Sequence, residues 1–340
     1  MTGGRQILDT EKKESLLSIS ASPHIRTGED TRSIMLDVLI ALIPALAVAA
    51  WMFGLWAILN TALSVLGCLF FEWGYRKLLK KPDSTGDLSA AVTGVLLAYT
   101  LPVTIPWWIL LIGDAFAIIL VKQLFGGIGK NFMNPALAAR AFLFSWPVAM
   151  TRWVAPLGYR SFFNPNLADA VTQATPLASL KGGALPQGTT LLQDFLGQVG
   201  GSMGEISAFA LLLGGCYLLV RRIISPRIPL AFLGTVAVLT FLFPRGNPRL
   251  GWMLWQLCSG GVMLGAIFMA TDYTTSPVNP TAQIVFGIGC GALTVFIRYF
   301  GSYAEGVSYA ILIMNAAVWL LDKAFPRKRF GEVKTKKEAA

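Results

Sequence analysis

The sequence predicts an all-α integral membrane protein of about ten transmembrane helices, interrupted by one long extracytoplasmic loop. Three observations carry this. The 340 residues are 54% hydrophobic and 14% charged, with a mean hydropathy of +0.60, where a soluble domain carries about 25% charged residues. Apolar runs near the ~20 residues that cross the hydrocarbon follow one another along the chain. Among them lies a single long polar stretch, residues 151–205.

The runs are 34–54, 55–75, 89–104, 105–124 and 134–150, then 206–220, 229–243, 252–271, 281–299 and 307–325. Several are short or broken by Gly, Pro or polar residues. They divide the chain into a cytoplasmic N-terminal arm (1–33), a first five-helix half (34–150), the loop (151–205), a second five-helix half (206–325) and a basic cytoplasmic tail (326–340). The arm is polar and mixed in charge, with no apolar core of a signal peptide, so no cleaved leader is expected.

Lys and Arg set the orientation. With the N-terminus inside, 21 of the 28 fall in inside segments and six in outside ones, with Arg140 inside a span. Both termini are thus expected in the cytoplasm and the 151–205 loop outside. The net charge of +10 reads as topology and gives no reason to expect nucleic acid. Trp107, Trp108, Trp252 and Trp255, near span ends, are expected in an interfacial aromatic belt.

Five spans per half would invert the halves relative to each other. Gly86-Asp87-Leu88-Ser89-Ala90 opens span three, and Gly260-Gly261-Val262-Met263-Leu264-Gly265 lies in its counterpart, span eight. Asn134-Pro135-Ala136 begins span five, and Met314-Asn315-Ala316 lies in span ten. Glycine-rich broken helices at matching positions build binding sites near the midplane, and small residues also serve close helix packing.

Polar residues within this frame are site candidates. Asp114 lies mid-span, so it is protonated, paired or part of an ion path. Gly126-Gly127-Ile128-Gly129 is a turn rich in N–H groups, able to approach an anion or ring, or a plain tight turn. Asn134 is suited to cap span five, with Pro135 at the first helical position. Arg140, two turns further on, needs a phosphate, carboxylate or carbonyl partner. Asp87, Asp272 and Glu305, near span ends, are cap or site candidates. Cys68, Cys216, Cys258 and Cys290 each stand alone in apolar sequence, so no zinc or iron–sulfur site is expected and buried packing is the simplest role. His24, the sole histidine, suits a structural or subunit contact, and no metal site is expected.

In the loop, Asp169-Ala170-Val171-Thr172-Gln173-Ala174-Thr175 precedes Pro176. A residue before proline is held extended, which would display the Thr175 hydroxyl. Such composition is also ordinary loop chemistry. The heptad resembles the flavinylation signal of the RnfD/NqrB family of membrane redox subunits, matching at Asp169, Thr172, Ala174 and Thr175 and departing at Gln173, where glycine is usual. Further segments resemble the family in order: Ser20-Ala21-Ser22-Pro23-His24, Gly126 to Phe142, Phe268 to Pro277, and Gly301 to Ala310. The compact length is more like the RnfD branch of that family.

The resemblance implies FMN esterified through its phosphate to Thr175, with Asp169, Thr172 and Ala174 in the attachment motif. Gly127, Asn134 and Arg140 are further cofactor-binding candidates, and Asp114 is a candidate for the ion path. It implies a second flavin, riboflavin, held non-covalently between the halves. It implies a phosphoprotein of the cytoplasmic (inner) membrane that contacts lipid, matured by a flavin transferase and assembled in an Rnf complex with subunits of the A, B, C, E and G type, which supply the iron–sulfur chemistry. The complex would pass electrons between ferredoxin and NAD, coupled to Na⁺ or H⁺ movement. This chain would not be catalytic alone, and no catalytic residue is assigned. An inverted-repeat secondary transporter also explains the spans, but not the loop heptad.

Overall fold

A computed structural model describes residues 30–156 and 174–326, and every element among them is helical. Helix α1 (Thr31–Phe53) turns at Gly54 directly into α2 (Leu55–Leu78). Gly54 takes φ 73°, a conformation glycine adopts without a Cβ penalty. A short turn, Thr85–Asp87, leads into α3 (Ser89–Tyr99), all of whose residues are buried. The Asp87 carboxylate accepts the Ser89 N–H at 2.8 Å, the capping role open to it from sequence. Beyond α3 the chain leaves the helix through Pro102 and Pro106, each of which biases its predecessor away from helix. It re-enters as α4 (Trp107–Ala115), continued by a π-helical segment, Phe116–Gln123. The glycine turn follows, then α5 (Pro135–Leu143) and α6 (Pro147–Met150).

The described part of the polar loop holds two short helices, α7 (Pro176–Lys181) and α8 (Leu191–Leu196). The rest of the chain forms α9 (Ala208–Val220), α10 (Arg227–Leu242), α11 (Arg249–Cys258) and α12 (Val262–Leu264). A second π-helical segment, Gly265–Met269, continues α12, and α13 (Pro280–Phe300) and α14 (Val307–Ala324) follow. Among the described residues, α1, α2, α13 and α14 have the length and hydropathy of full spans. The pair Arg249–Cys258 and Val262–Met269, bent by 64° at its break, passes the same test when its two pieces are taken together, as a broken span or a re-entrant loop. The chain is a multi-pass membrane protein. Helices α3, α9 and α10 are apolar but shorter than the bilayer needs. Run 134–150 is likewise divided between α5 and α6, where Pro147 follows a break at Ser145 and Trp146.

Small residues draw the helices together, as expected where lipid removes the hydrophobic drive between them. A Cβ on Gly94 of α3 would stand 2.8 Å from the Ser64 carbonyl of α2. On α13, Gly287 and Gly291 face the α10 backbone at Ile228 and Phe232 in the same way. Gly214 of α9 lies against the Ala41 carbonyl of α1. That contact is locked at one end by Asp37, which accepts from Tyr217 (2.6 Å) and pairs with Arg221 (3.0 Å).

Two expectations are corrected. Trp107 and Trp108 are exposed as a belt requires, but Trp252 and Trp255 are buried. Leu177 and Leu180 of α7 pack over them, so these two tryptophans hold the polar loop down. Of the four cysteines Cys68, Cys258 and Cys290 are buried, whereas Cys216 is on an exposed face of α9.

Candidate functional site

The densest buried chemistry gathers where α11 breaks into α12. A broken helix leaves carbonyls unsatisfied at one end and N–H groups at the other. Arg298 of α13 serves the first end, donating from Nη1 to the Gln256 carbonyl (2.6 Å) and from Nη2 to the Ser259 carbonyl (2.9 Å). Glu305, just before α14, serves the second by accepting the Gly261 N–H. The two side chains lie 4.0 Å apart as an ion pair. Arg140 extends the group, donating to Glu305 (2.9 Å), Glu205 (2.8 Å) and the Ser308 hydroxyl (3.1 Å). The partner that Arg140 needs from sequence is thus a pair of carboxylates, although Arg140, Glu205 and Glu305 come from three separate stretches of chain. Gly261 makes their convergence feasible: a Cβ there would lie 2.6 Å from Glu205 Oε1 and 2.9 Å from Glu305 Oε1.

Thr175 lies on the same cavity. Arg140, Glu205, Gly260, Tyr303 and Glu305 line it together with this threonine. The backbone of Thr175 is extended, φ −68° and ψ 151°, as Pro176 dictates. Thr175 stands at the N-cap of α7 but makes no side-chain capping bond, so its hydroxyl is not committed to its own helix. Ala174 is exposed beside it, whereas Asp169 and Thr172 lie outside the described residues, as does His24. Gly200, Gly201 and Gly260 leave part of the lining without side chains, while Phe144, Trp153 and Tyr303 supply aromatic surface. An uncapped hydroxyl, aromatic faces and a buried cation thus share one concave site. Asp194 of α8 also faces this cavity and accepts from the Ser259 hydroxyl at 2.7 Å. Burial pushes its carboxyl from 3.8 up to about 6.

A second cavity is bounded by Ser89 of α3, Lys122 and Phe268 of the two π-helical segments, and Ile128, Asn134 and Asp272. Asn134 caps α5 as its sequence indicates, its Oδ1 accepting the Ala136 (3.0 Å) and Leu137 (3.2 Å) N–H groups. Its Nδ2 also donates to the Met269 carbonyl, at the end of the second π-helical segment. Lys122 pairs with Glu72 of α2 at 2.9 Å and donates to Ser89 Oγ at 2.6 Å, and Gln123 also donates to Glu72 (2.7 Å). Gly127 adopts φ 93° with Arg76 packed against its Cα, outside the lining of either cavity.

Asp114 is fully buried between α2, α3 and α4. Its Oδ1 lies 2.6 Å from Ser64 Oγ and 3.3 Å from Cys68 Sγ, and Ser64 Oγ is also 3.0 Å from the Gly94 carbonyl. Its Oδ2 has no hydrogen-bond partner among the described residues and lies over Gly67.

Glu72 and Glu205 have no role assigned from sequence, and Lys122 and Arg298 count there as connection charges, yet all four are buried. A signal for them exists: each is a charge inside or abutting an apolar run, where ionised groups persist only with partners.

A broken helix, buried charge pairs and two separate cavities define a class: a polytopic membrane protein with polar cavities between its helices. Residues 18–331 match the NQR2, RnfD, RnfE family, and the chain belongs to it. It is 50% identical over 326 residues to the D subunit of the Na⁺-translocating ferredoxin:NAD⁺ oxidoreductase complex of Acetobacterium woodii, covering 95% of this chain and 98% of that one. The D subunit of the proton-translocating ferredoxin:NAD⁺ oxidoreductase complex of Clostridium ljungdahlii is 39% identical, with the same coverage. The D subunit of the ion-translocating oxidoreductase complex of Stutzerimonas stutzeri is 41% identical, covering 90% and 93%.

Proposed function

We propose that this chain is the membrane-embedded flavoprotein subunit of an ion-translocating ferredoxin:NAD oxidoreductase complex. In this reading it passes electrons across the membrane through FMN esterified to Thr175 and a second, non-covalent riboflavin, coupled to Na⁺ or H⁺ movement. The names of its relatives support the complex, the partner subunits and the redox-driven ion transport. The observation that carries the cofactor reading is the setting of Thr175: an extended, uncapped hydroxyl on a cavity lined by Arg140, three glycines and aromatic side chains. Bound there, a flavin supplies one- and two-electron chemistry, while the protein supplies position and electrostatics.

The chain's own residues have distinct roles. Pro176 and the packing of α7 on Trp252 and Trp255 fix Thr175 over the cavity. Arg140 and Arg298 balance Glu205 and Glu305 in a water-poor site, where unpaired charge is costly. The second cavity suits the non-covalent flavin, with Asn134 and Ser89 offering polar contacts and Phe268 an apolar face.

An arrangement of two inverted five-helix halves draws support from the order of elements. The third helix is short in the first half (α3) and broken in the second (α11–α12). Beside the start of α3 stands Lys122, and beside the α11–α12 break stands Arg298; each is a buried cation from the next helix, and each is ion-paired. By the charge rule the Thr175 cavity opens outside the cytoplasm and the Lys122 cavity towards it, in the cytoplasmic membrane. Asp114, buried in α4, is the residue this reading assigns to the ion path. The test is in-gel fluorescence of the denatured chain, expressed with a flavin transferase. A fluorescent band that disappears in Thr175→Ala is expected. An unlabelled wild-type chain would instead favour an ordinary transporter.

A further inference from the structure

We infer that Tyr303 is the face on which the ring of the Thr175-linked flavin rests, a contact that depends on the flavin reading above. Tyr303 lines the Thr175 cavity yet leaves 47% of its surface exposed. It is nevertheless braced. Its ring stacks on Tyr309 of α14 (centroids 5.6 Å apart, planes at 24°) and packs on Phe144 at 5.3 Å. The free face of a braced aromatic is a ready platform for another flat ring, since offset stacking at such spacings is favourable.

The backbone around Tyr303 is held on both sides. Glu305, two residues on, is fixed by Arg140 and by the Gly261 N–H. Ser302, one residue before, gives its carbonyl to the Lys181 ammonium. Lys181 ends α7, the helix that Thr175 begins. One short helix therefore ties the attachment hydroxyl to the segment bearing Tyr303, so tether and platform keep a fixed spacing. Gly200, Gly201 and Gly260 line the same cavity with backbone alone. A planar heteroaromatic ring on a phosphate tether matches that combination.

Phenol is a good electron donor to an excited flavin, and benzene is a poor one. The full-length protein, produced with a flavin transferase, should therefore show short-lived native flavin fluorescence that lengthens several-fold in both Tyr303→Phe and Tyr303→Leu. The covalent label, read in a denaturing gel, should be equal in all three. The visible circular dichroism of the flavin should survive in Tyr303→Phe, which keeps the stack, and weaken in Tyr303→Leu. If Tyr303→Leu fails to fold, the lifetime of Tyr303→Phe decides the matter alone. Labelled variants with the wild-type lifetime would overturn the Tyr303 contact and leave Thr175 attachment standing. A wild-type chain without label on Thr175 would overturn both.

Discussion

Arg140 illustrates what a single residue does in this molecule. It holds two carboxylates that would otherwise repel each other in a buried site. Removing one partner from such a group leaves charge without compensation, so Arg140→Ala should cost about 3–5 kcal/mol. Thermal unfolding in detergent measures it, and loss of label in the same sample would tie the network to Thr175. Asp194 gives a pH-dependent counterpart. Its carboxyl is raised from 3.8 to about 6 by burial, so the folded protein binds its proton more tightly than the unfolded chain. Stability from this group falls as pH rises from near 4 to near 6 and is level above. The stability of Asp194→Asn relative to wild type should therefore grow across that window, as melting temperatures at several pH values would reveal. Asp114→Asn keeps the shape of the side chain within the Ser64 and Cys68 contacts. On the ion-path reading it should reduce ion transport by the reconstituted complex more than it reduces flavin attachment. Unchanged pumping would remove Asp114 from the mechanism.

At the scale of elements, breaks and close contacts govern the structure. Helices α3 and α11–α12 stop short because prolines and glycines interrupt them, and buried side chains satisfy the exposed ends. Helix α7 is the smallest element with a large consequence. Its two leucines and Trp252 form the contact that seats the Thr175 loop. Trp252→Ala should destabilise the protein by about 3–5 kcal/mol, the usual range for a buried tryptophan. It should also release α7, read as faster protease cleavage near Thr175. This contact is hidden in the sequence for an identifiable reason. A tryptophan at a span end fits the aromatic belt equally well, and only the return of α7 onto α11 buries it.

For the whole molecule, orientation follows from charge. With the four native cysteines replaced, a cysteine at exposed Gln187 should react with a membrane-impermeant thiol reagent in whole cells, whereas one at exposed Lys80 should not. The reverse labelling would invert the assignment of both cavities. The helical, membrane-spanning character of the chain was legible, because hydropathy reports each segment's solvent independently of its neighbours. Of the ten apolar runs, however, only four helices and one bent pair, among the described residues, have the length and hydropathy of a span. The cap formed by Asn134 and the extended Thr175 were legible too, since each follows from one residue and the one beside it.

The chain by itself determined that it is apolar, helical and membrane-embedded, that Pro176 extends Thr175, and that Arg140 requires a buried counterion, because local backbone sterics and solvation act on each segment alone. Only the tertiary structure decided that the counterions are Glu205 and Glu305, that Arg298 and Glu305 close the two ends of a broken helix, and that Thr175 and Tyr303 share a cavity. Those pairings join residues far apart along the chain, and it is packing, aided by glycines where backbones meet, that selects one pairing from the many the composition allows.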